Sequence, residues 1–187
     1  MTGGIGSGKS TVCRILSELG CPVYNADDRA KQLMHNDDVL KENIKSEFGA
    51  SIYSHGQLNR QALADIVFAD SVKLEKLNGL VHPAVAKDFT AWCDAQESEV
   101  VIKEAAILFE TGGYKQLDET VLVHAPKDER ITRVCARDGV TPEQVESRMD
   151  NQWSDEQKRK LADHIIENHN GHLIILQVLQ LIESWNR

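Results

Sequence analysis

Residues 3–10 have the sequence Gly-Gly-Ile-Gly-Ser-Gly-Lys-Ser and are followed by Thr11, which fits the phosphate-binding pattern Gly-x-x-x-x-Gly-Lys-[Ser/Thr]. Glycines let the backbone take positive φ angles and approach an anion without a Cβ in the way. The N–H groups of such a loop surround phosphate oxygens, and the following helix adds the positive end of its dipole. The stretch therefore predicts nucleotide contacts from Gly4, Ile5, Gly6, Ser7, Gly8, Lys9, Ser10 and Thr11.

Two side chains of this stretch carry specific chemistry. Lys9 is expected to reach the β- and γ-phosphates of ATP, and the Ser10 hydroxyl is expected to bind Mg²⁺. A glycine-rich turn without a ligand is the simpler alternative. The helical spacing of apolar residues directly after the glycines favours the phosphate loop.

Length, charge and cysteine usage narrow the class of protein. The 187 residues suffice for one domain with a sizeable core, and the formal net charge of −8 argues against a broad nucleic-acid surface. No apolar run approaches the ~20 residues of a membrane span, and no signal peptide precedes the loop. The four cysteines show no zinc spacing and are expected to be buried, reduced thiols. We therefore expect a cytoplasmic monomer that binds neither nucleic acid nor membrane.

The order of apolar patterns predicts an α/β protein. Short strand-like runs occur near residues 21–24, 100–106, 120–124 and 165–166, and helical patterns separate them. This alternation is typical of a doubly wound parallel sheet. Residues 30–96 are mostly helical, with a break expected at His82-Pro83, and are too long for one crossover. Only Met1 and Thr2 stand before the glycines, where a buried strand of about five residues is normal.

These patterns predict a single domain over residues 1–187 with three parts. The core comprises about 1–30, 98–127 and 160–187. A helical substrate lobe comprises about 31–97, and a helical lid comprises about 128–159. Because ligands of such sheets bind at the carboxyl ends of strands, Asp27, Glu104 and the loop can converge.

Arginines in the expected lid suggest the chemistry. Arg130, Arg133 and Arg137 share one helix face, and Arg148 and Arg159 follow. Such a set can close over phosphates and offset the charge of a transition state, or it can be a solvated helix face. The chain lacks the Asp-x-x-Gly and Asn-Lys-x-Asp motifs of GTPases. A kinase of small metabolites fits these features.

Five stretches together resemble the dephospho-CoA kinase family over essentially the whole chain. They are residues 2–10, Asn25-Ala26-Asp27, Leu80-Val81-His82-Pro83, Ile107-Leu108-Phe109-Glu110, and Arg137-Asp138-Gly139-Val140 with Arg148 and Gln152. The resemblance implies a phosphate-loop NTPase fold with a helical substrate lobe and a lid. It also implies transfer of the ATP γ-phosphate to the ribose 3′-hydroxyl of dephospho-CoA, the last step of coenzyme A synthesis.

The resemblance assigns the catalytic residues. Asp27 matches the family's base, with a helix N-cap as its structural alternative; the family usually has Asp where this chain has Asn25. Arg137 and Arg148 match the lid. Glu104 is expected to hold Mg²⁺ through water, or to be an ordinary carboxylate at a strand end.

The remaining assignments concern substrate and nucleotide contacts. Arg60 and His82 resemble substrate-side positions, although His82 before Pro83 could equally be a structural cap. Glu110 either contacts substrate or locks the following loop. Asn168 lies where the loop after the last strand could face adenine.

Two other functions remain open from the sequence. One is a nucleoside or nucleotide kinase with a different acceptor. The other is a nucleotide-binding module without transfer activity.

Overall fold

The computed structural model describes residues 1–185 and divides into two compact units. The first unit is Met1–Val23 with Ser98–Arg187, and the second is Tyr24–Glu97. In chain order the elements are α1 (Lys9–Glu18), β1 (Val23–Asn25), α2 (Ala26–Asn36), α3 (Asp38–Phe48), β2 (Tyr53–Ser54), β3 (Gln57–Leu58), α4 (Arg60–Phe68), α5 (Ser71–Asp94), β4 (Ile102–Glu104), β5 (Val121–His124), α6 (Lys127–Asp138), α7 (Pro142–Met149), α8 (Asp155–Arg159), β6 (His164–Glu167) and α9 (Ile174–Trp185).

The sheet of the first unit is parallel around the start of the chain. β5 and β6 pair in parallel along their lengths. On the other side of β5, the Thr2 N–H donates to the Val121 carbonyl and the Thr2 carbonyl accepts from the Val123 N–H, each at 2.8 Å. The Met1 carbonyl accepts from the Ala105 N–H, just after β4, at 3.1 Å. Met1 and Thr2 therefore occupy the strand position between β4 and β5, directly before the glycines.

The sheet continues beyond β4. The Ile102 N–H donates to the Pro22 carbonyl at 2.8 Å, which joins β4 to the chain that leads into β1. Successive positions across the sheet are therefore the Pro22 segment, β4, Met1–Thr2, β5 and β6. This is the predicted parallel α/β arrangement, and the phosphate loop follows its central position.

Two helices bury apolar side chains in the core of the first unit. Val12 and Leu16 of α1 are fully buried, and so is Val178 of α9. They belong to one cluster with Met1, Cys13, Cys21, Ile102, Val121, Val123, Ile166 and Leu181. The helical spacing of the buried residues in α1 explains why the sequence located this helix within one residue at each end.

The second unit is mainly helical. Helices α2 to α5 bury Leu40, Ile44, Leu63 and Val67, and a short antiparallel hairpin pairs β2 with β3. The hairpin turns at His55-Gly56, where both residues have positive φ. Strands of two residues are too short to show an alternating pattern, so the sequence indicated only a break there.

The break expected at His82-Pro83 was wrong, because α5 runs through both residues. Proline removes one backbone donor and crowds the preceding turn, which normally bends or ends a helix. Here Val81 and Val85 are both buried on either side of Pro83. Their packing within the second unit holds the two halves of α5 in one helix.

Within residues 1–185, no helix has both the length and the apolar character needed to span a membrane.

Candidate active site

The phosphate loop turns sharply before α1. The Ser7 N–H donates to the Gly4 carbonyl at 3.1 Å, and Gly6 and Gly8 have φ angles of +77° and +93°. Gly8 precedes α1 and offers no side chain to cap the first N–H groups of the helix. A loop of glycines that leads into a helix without a side-chain cap fits an anion such as phosphate.

Close neighbours require glycine at three positions of this loop. A Cβ on Gly4 would lie 1.9 Å from Arg130 Nη1, and one on Gly6 would lie 2.6 Å from the Arg130 carbonyl oxygen. A Cβ on Gly8 would lie 2.1 Å from Asn168 Nδ2. The glycines therefore let α6 and the loop after β6 pack directly against the phosphate loop.

The polar side chains of the loop occupy different environments. Lys9 Nζ donates to the Gly3 carbonyl at 2.8 Å, which spans the loop from its first glycine to its lysine. Ser10 and Thr11 are exposed in the first turn of α1. Ser7 Oγ is buried and has no hydrogen-bond partner within the described residues. An unsatisfied buried hydroxyl is costly, and a ligand oxygen would satisfy it.

Asn168 fastens the loop after β6 to the phosphate loop. Its Nδ2 donates to the Ser7 carbonyl at 2.7 Å, and its own carbonyl accepts from Arg133 Nη2 at 2.9 Å. Its N–H donates to the His124 carbonyl at 2.7 Å, as an extension of the β5–β6 ladder. The predicted contact of Asn168 with adenine stays a prediction, whereas its bond to the loop was not foreseen.

The lid arginines Arg137 and Arg148 meet on one carboxylate. Arg137 Nε and Nη2 donate to the two oxygens of Asp138 at 2.7 and 3.1 Å, and Arg148 Nη1 donates to Asp138 Oδ2 at 3.1 Å. The hydrogen bonds from Arg137 hold the pKa of Asp138 below its usual range. The structure thus brings the two predicted lid arginines together, on an exposed carboxylate at the end of α6.

Glu104 and Glu110 lie near the end of β4. Glu104 is the last residue of that strand and is buried. Glu110 Oε1 accepts from the Trp153 N–H at 2.9 Å and lies 2.9 Å from Nζ of Lys158, whose side chain is 0% exposed. These contacts favour Glu110 as a residue that locks the neighbouring loop, and its predicted contact with substrate stays a prediction.

Sequence reasoning missed two contacts of this region. The burial of Lys158 had no local signal, because it lies in the strongly charged stretch 155–160, which is typical of a solvated helix. Gln152 belongs to the motif quoted above, but its hydrogen bond to the Ile5 N–H, at 2.9 Å, joins residues far apart in sequence. Periodicity and spacing do not reveal such long-range pairs.

The second unit contains Asp27, Arg60 and His82. Asn25 caps α2, because its side chain accepts from the Asp28 N–H at 2.9 Å. Asp27 is exposed in the first turn of the same helix and is therefore not the cap. His82 is exposed in the interior of α5 and does not cap a helix either.

A buried network holds the start of α2 against α5. The Tyr24 hydroxyl donates to Asp88 Oδ2 at 2.7 Å, and Arg29 Nε donates to the same oxygen at 2.8 Å. The bond from Arg29 lowers the pKa of Asp88, and burial raises the pKa of Tyr24. This network fixes the residues on either side of Asp27.

Arg60 is the first residue of α4 and is exposed, and Asn59 caps that helix. A cation at a helix N-terminus opposes the helix dipole. The position is therefore unfavourable for the isolated helix, and both charges would attract an anionic ligand.

Known proteins with similar sequences share one description. A family model described as dephospho-CoA kinase matches residues 1–173. The dephospho-CoA kinase of Porphyromonas gingivalis is 41% identical over 185 residues, which cover 98% of this chain and 92% of that protein. That of Salinibacter ruber is 45% identical over 172 residues, which cover 90% and 86%. The structure of the dephospho-CoA kinase from Campylobacter jejuni superposes with a TM-score of 0.70 at 26% identity, over 98% of this chain and 94% of that one.

Proposed function

The chain belongs to the dephospho-CoA kinase family, and we propose that its phosphate loop, Asp27 and the lid arginines carry out that family's reaction. The protein is a kinase that transfers the γ-phosphoryl group of ATP to the ribose 3′-hydroxyl of dephospho-CoA. The product is coenzyme A, and the step is the last of its biosynthesis. The structural observation that supports this best is the phosphate loop at residues 3–11, which is followed by an α1 that has no side-chain cap.

Binding of the ATP phosphates falls to the first unit. The N–H groups of Gly6 to Thr11 surround the β-phosphate, and Lys9 exchanges its bond to the Gly3 carbonyl for the β- and γ-phosphates. Arg137 and Arg148 exchange Asp138 for the charge that develops on the transferred group. Each cation already has an oxygen partner in the structure, so nucleotide binding replaces one oxygen ligand with another.

Ser10 and Glu104 are the proposed contacts of Mg²⁺, Ser10 directly and Glu104 through water. A hydroxyl and a carboxylate are hard oxygen ligands, which this ion prefers. Glu104 is buried at a strand end, and Ser10 is exposed at the start of α1. When bound, Mg²⁺ neutralises negative charge on the β- and γ-phosphates.

Asp27 is the proposed base. As the 3′-oxygen forms its bond to the γ-phosphorus, the bond from that phosphorus to the β,γ-bridging oxygen breaks and ADP leaves. The hydroxyl proton passes to the Asp27 carboxylate. The capping of α2 by Asn25 supports this role, because the capping function is already filled.

Arg60, His82 and Glu110 are the proposed contacts of dephospho-CoA. Arg60 suits the diphosphate of this acceptor, because it stands at a helix N-terminus where an anion is stabilised. The net charge of −8 makes a polyanionic nucleic-acid partner unfavourable. The free thiols of all four cysteines suit the reducing cytoplasm, where we propose that the enzyme acts as a monomer.

A coupled ADP-release assay with MgATP and dephospho-CoA tests the function, with the product identified by mass. Release of ADP that depends on the acceptor, together with one added phosphoryl group, is the expected result. Turnover with nucleoside monophosphates but not with dephospho-CoA would indicate another acceptor. ATP binding without turnover on any acceptor would indicate a binding module.

A further inference from the structure

Gln152 links the connection between α7 and α8 to the phosphate loop. Its Oε1 accepts from the Ile5 N–H at 2.9 Å, and its Nε2 donates to the Ala106 carbonyl at 3.5 Å. The two ends of one carboxamide thus hold the loop and the segment that follows β4. The proposed mechanism gives this side chain no role.

The connection that carries Gln152 is itself fixed in place. The next residue, Trp153, donates its N–H to Glu110 Oε1 at 2.9 Å. Lys158, whose side chain is 0% exposed, pairs with the same carboxylate oxygen at 2.9 Å. Because the backbone on the C-terminal side of Gln152 is held, little further ordering is needed for its side chain to reach Ile5.

A second contact holds the same connection beside the loop. Asp155 Oδ2 accepts from Arg130 Nη2 at 2.9 Å, and the Arg130 side chain is only 9% exposed. Arg130 in turn lies against Gly4, where a Cβ would come within 1.9 Å of its Nη1. Gln152 and Arg130 therefore approach the same end of the phosphate loop.

Ile5 is the point where this loop most needs an outside restraint. It lies between Gly4 and Gly6, and glycine is the residue with the greatest backbone freedom. Gly6 holds a φ of +77°, and the turn from Gly4 to Ser7 is closed by one hydrogen bond of 3.1 Å. A hydrogen bond to the Ile5 N–H from outside the loop selects one of the shapes that the two glycines allow.

We propose that Gln152 is a positioning residue for phosphoryl transfer. It acts through Ile5: it holds the turn of the phosphate loop in the shape that directs the following N–H groups at ATP. It also transmits the position of the loop to the connection at the base of the lid. The inference rests on the proposed function, but its effect on ATP binding does not require the acceptor.

The test replaces Gln152 with Met, which keeps the length of the side chain and removes both the acceptor and the donor. Asn151→Ala is the matched control, because Asn151 is the neighbouring carboxamide and bonds only to Ser147 of its own helix. The measurements are calorimetric binding of MgATP, KM and kcat in the ADP-release assay, and Tm.

Gln152→Met is expected to weaken MgATP binding by about 10-fold, because a loop N–H loses its partner. KM for ATP should rise in parallel, KM for dephospho-CoA should stay near the wild-type value, and Asn151→Ala should behave as wild type. MgATP affinity and KM unchanged in Gln152→Met, or a lower Tm alone, would overturn the proposal.

If Gln152→Met does not fold, Gln152→Asn takes its place. It keeps the amide but is one methylene shorter, so it cannot reach both partners. Weakened MgATP binding at a normal Tm supports the positioning role, and wild-type affinity overturns it. A wild-type protein that binds MgATP but does not phosphorylate dephospho-CoA would contradict the proposed function and leave the binding comparison valid.

Discussion

The side-chain amide of Asn168 donates a hydrogen bond of 2.7 Å to the carbonyl oxygen of Ser7. The two residues are 161 positions apart, and the bond fastens the loop after the last strand to the phosphate loop. The Ser7 carbonyl is thereby directed away from the phosphate side, where carbonyl oxygens would repel an anion. We infer that Asn168 supports ATP binding through the shape of the loop.

Replacement of Asn168 by Ala should raise KM for ATP by roughly 5- to 10-fold, the usual effect of one lost hydrogen bond of this kind. Asn170→Ala is the control, since Asn170 is an exposed residue of the same loop. Steady-state kinetics of both variants give the comparison. Equal KM values for the two would rule out this role of Asn168.

Gly8 and Gly20 provide a matched pair for the packing of the loop. Both have a φ of +93°, but a Cβ on Gly8 lies 2.1 Å from Asn168 Nδ2, whereas a Cβ on Gly20 meets nothing within 4 Å. Gly20→Ala should cost about 1–2 kcal/mol in the free energy of unfolding, from backbone strain alone. Gly8→Ala should cost more and also lose MgATP binding. Denaturation and calorimetry measure both effects, and similar behaviour of the two variants would contradict the packing described.

The parts of this molecule that the sequence predicted have local causes. The phosphate loop depends on glycine backbones, α1 on spaced apolar residues, and the start of α7 on Thr141 and Pro142, which form the expected capping arrangement. These signals lie within a few residues of the structure that they determine. The sequence therefore located the loop and most helices and strands correctly.

The parts that the sequence did not predict depend on tertiary contacts. Helix α5 continues through Pro83 because Val81 and Val85 are buried on both sides of it. Gln152 and Asn168 reach the phosphate loop across almost the whole chain. No pattern within one segment contains that information, so the links that fix the shape of the candidate site appear only in the structure.

Cys13 should be chemically inert in the folded protein. Burial raises the pKa of its thiol to about 11, so the reactive thiolate is scarce at neutral pH and forms only as the pH approaches that value. Iodoacetamide at pH 8 should therefore modify the half-buried Cys93 and Cys135 well before Cys13. Peptide mass spectrometry identifies the labelled sites, with the protein in denaturant as the control in which all four react. Rapid labelling of native Cys13 would contradict its burial in the core.

Arg137→Gln should reduce kcat by on the order of 100-fold, because a donor to developing negative charge is lost. Its effect on stability should be small, since the ion pair with Asp138 is exposed. Arg14→Gln, at an exposed position of α1, is the control. Comparison of kcat and Tm separates the two effects. An Arg137 variant with normal kcat would remove this residue from the proposed lid.

Asp27→Asn should lower kcat by on the order of 10²–10⁴ with little change in MgATP affinity, because the base is lost and the phosphate loop is intact. Asp28→Asn is the neighbouring control, since the exposed Asp28 carboxylate pairs with Lys31 at 2.7 Å. Single-turnover kinetics measure the chemical step directly. Equal rates for the two variants would eliminate Asp27 as the base.

Incubation of the protein with MgATP and dephospho-CoA, followed by mass spectrometry of the acceptor, tests most directly whether this chain makes coenzyme A. We predict that wild type and Asp28→Asn add one phosphoryl group, which a phosphatase specific for the 3′-position removes, and that Asp27→Asn adds almost none in the same time. A folded wild-type protein that binds MgATP and leaves dephospho-CoA unmodified would contradict the account.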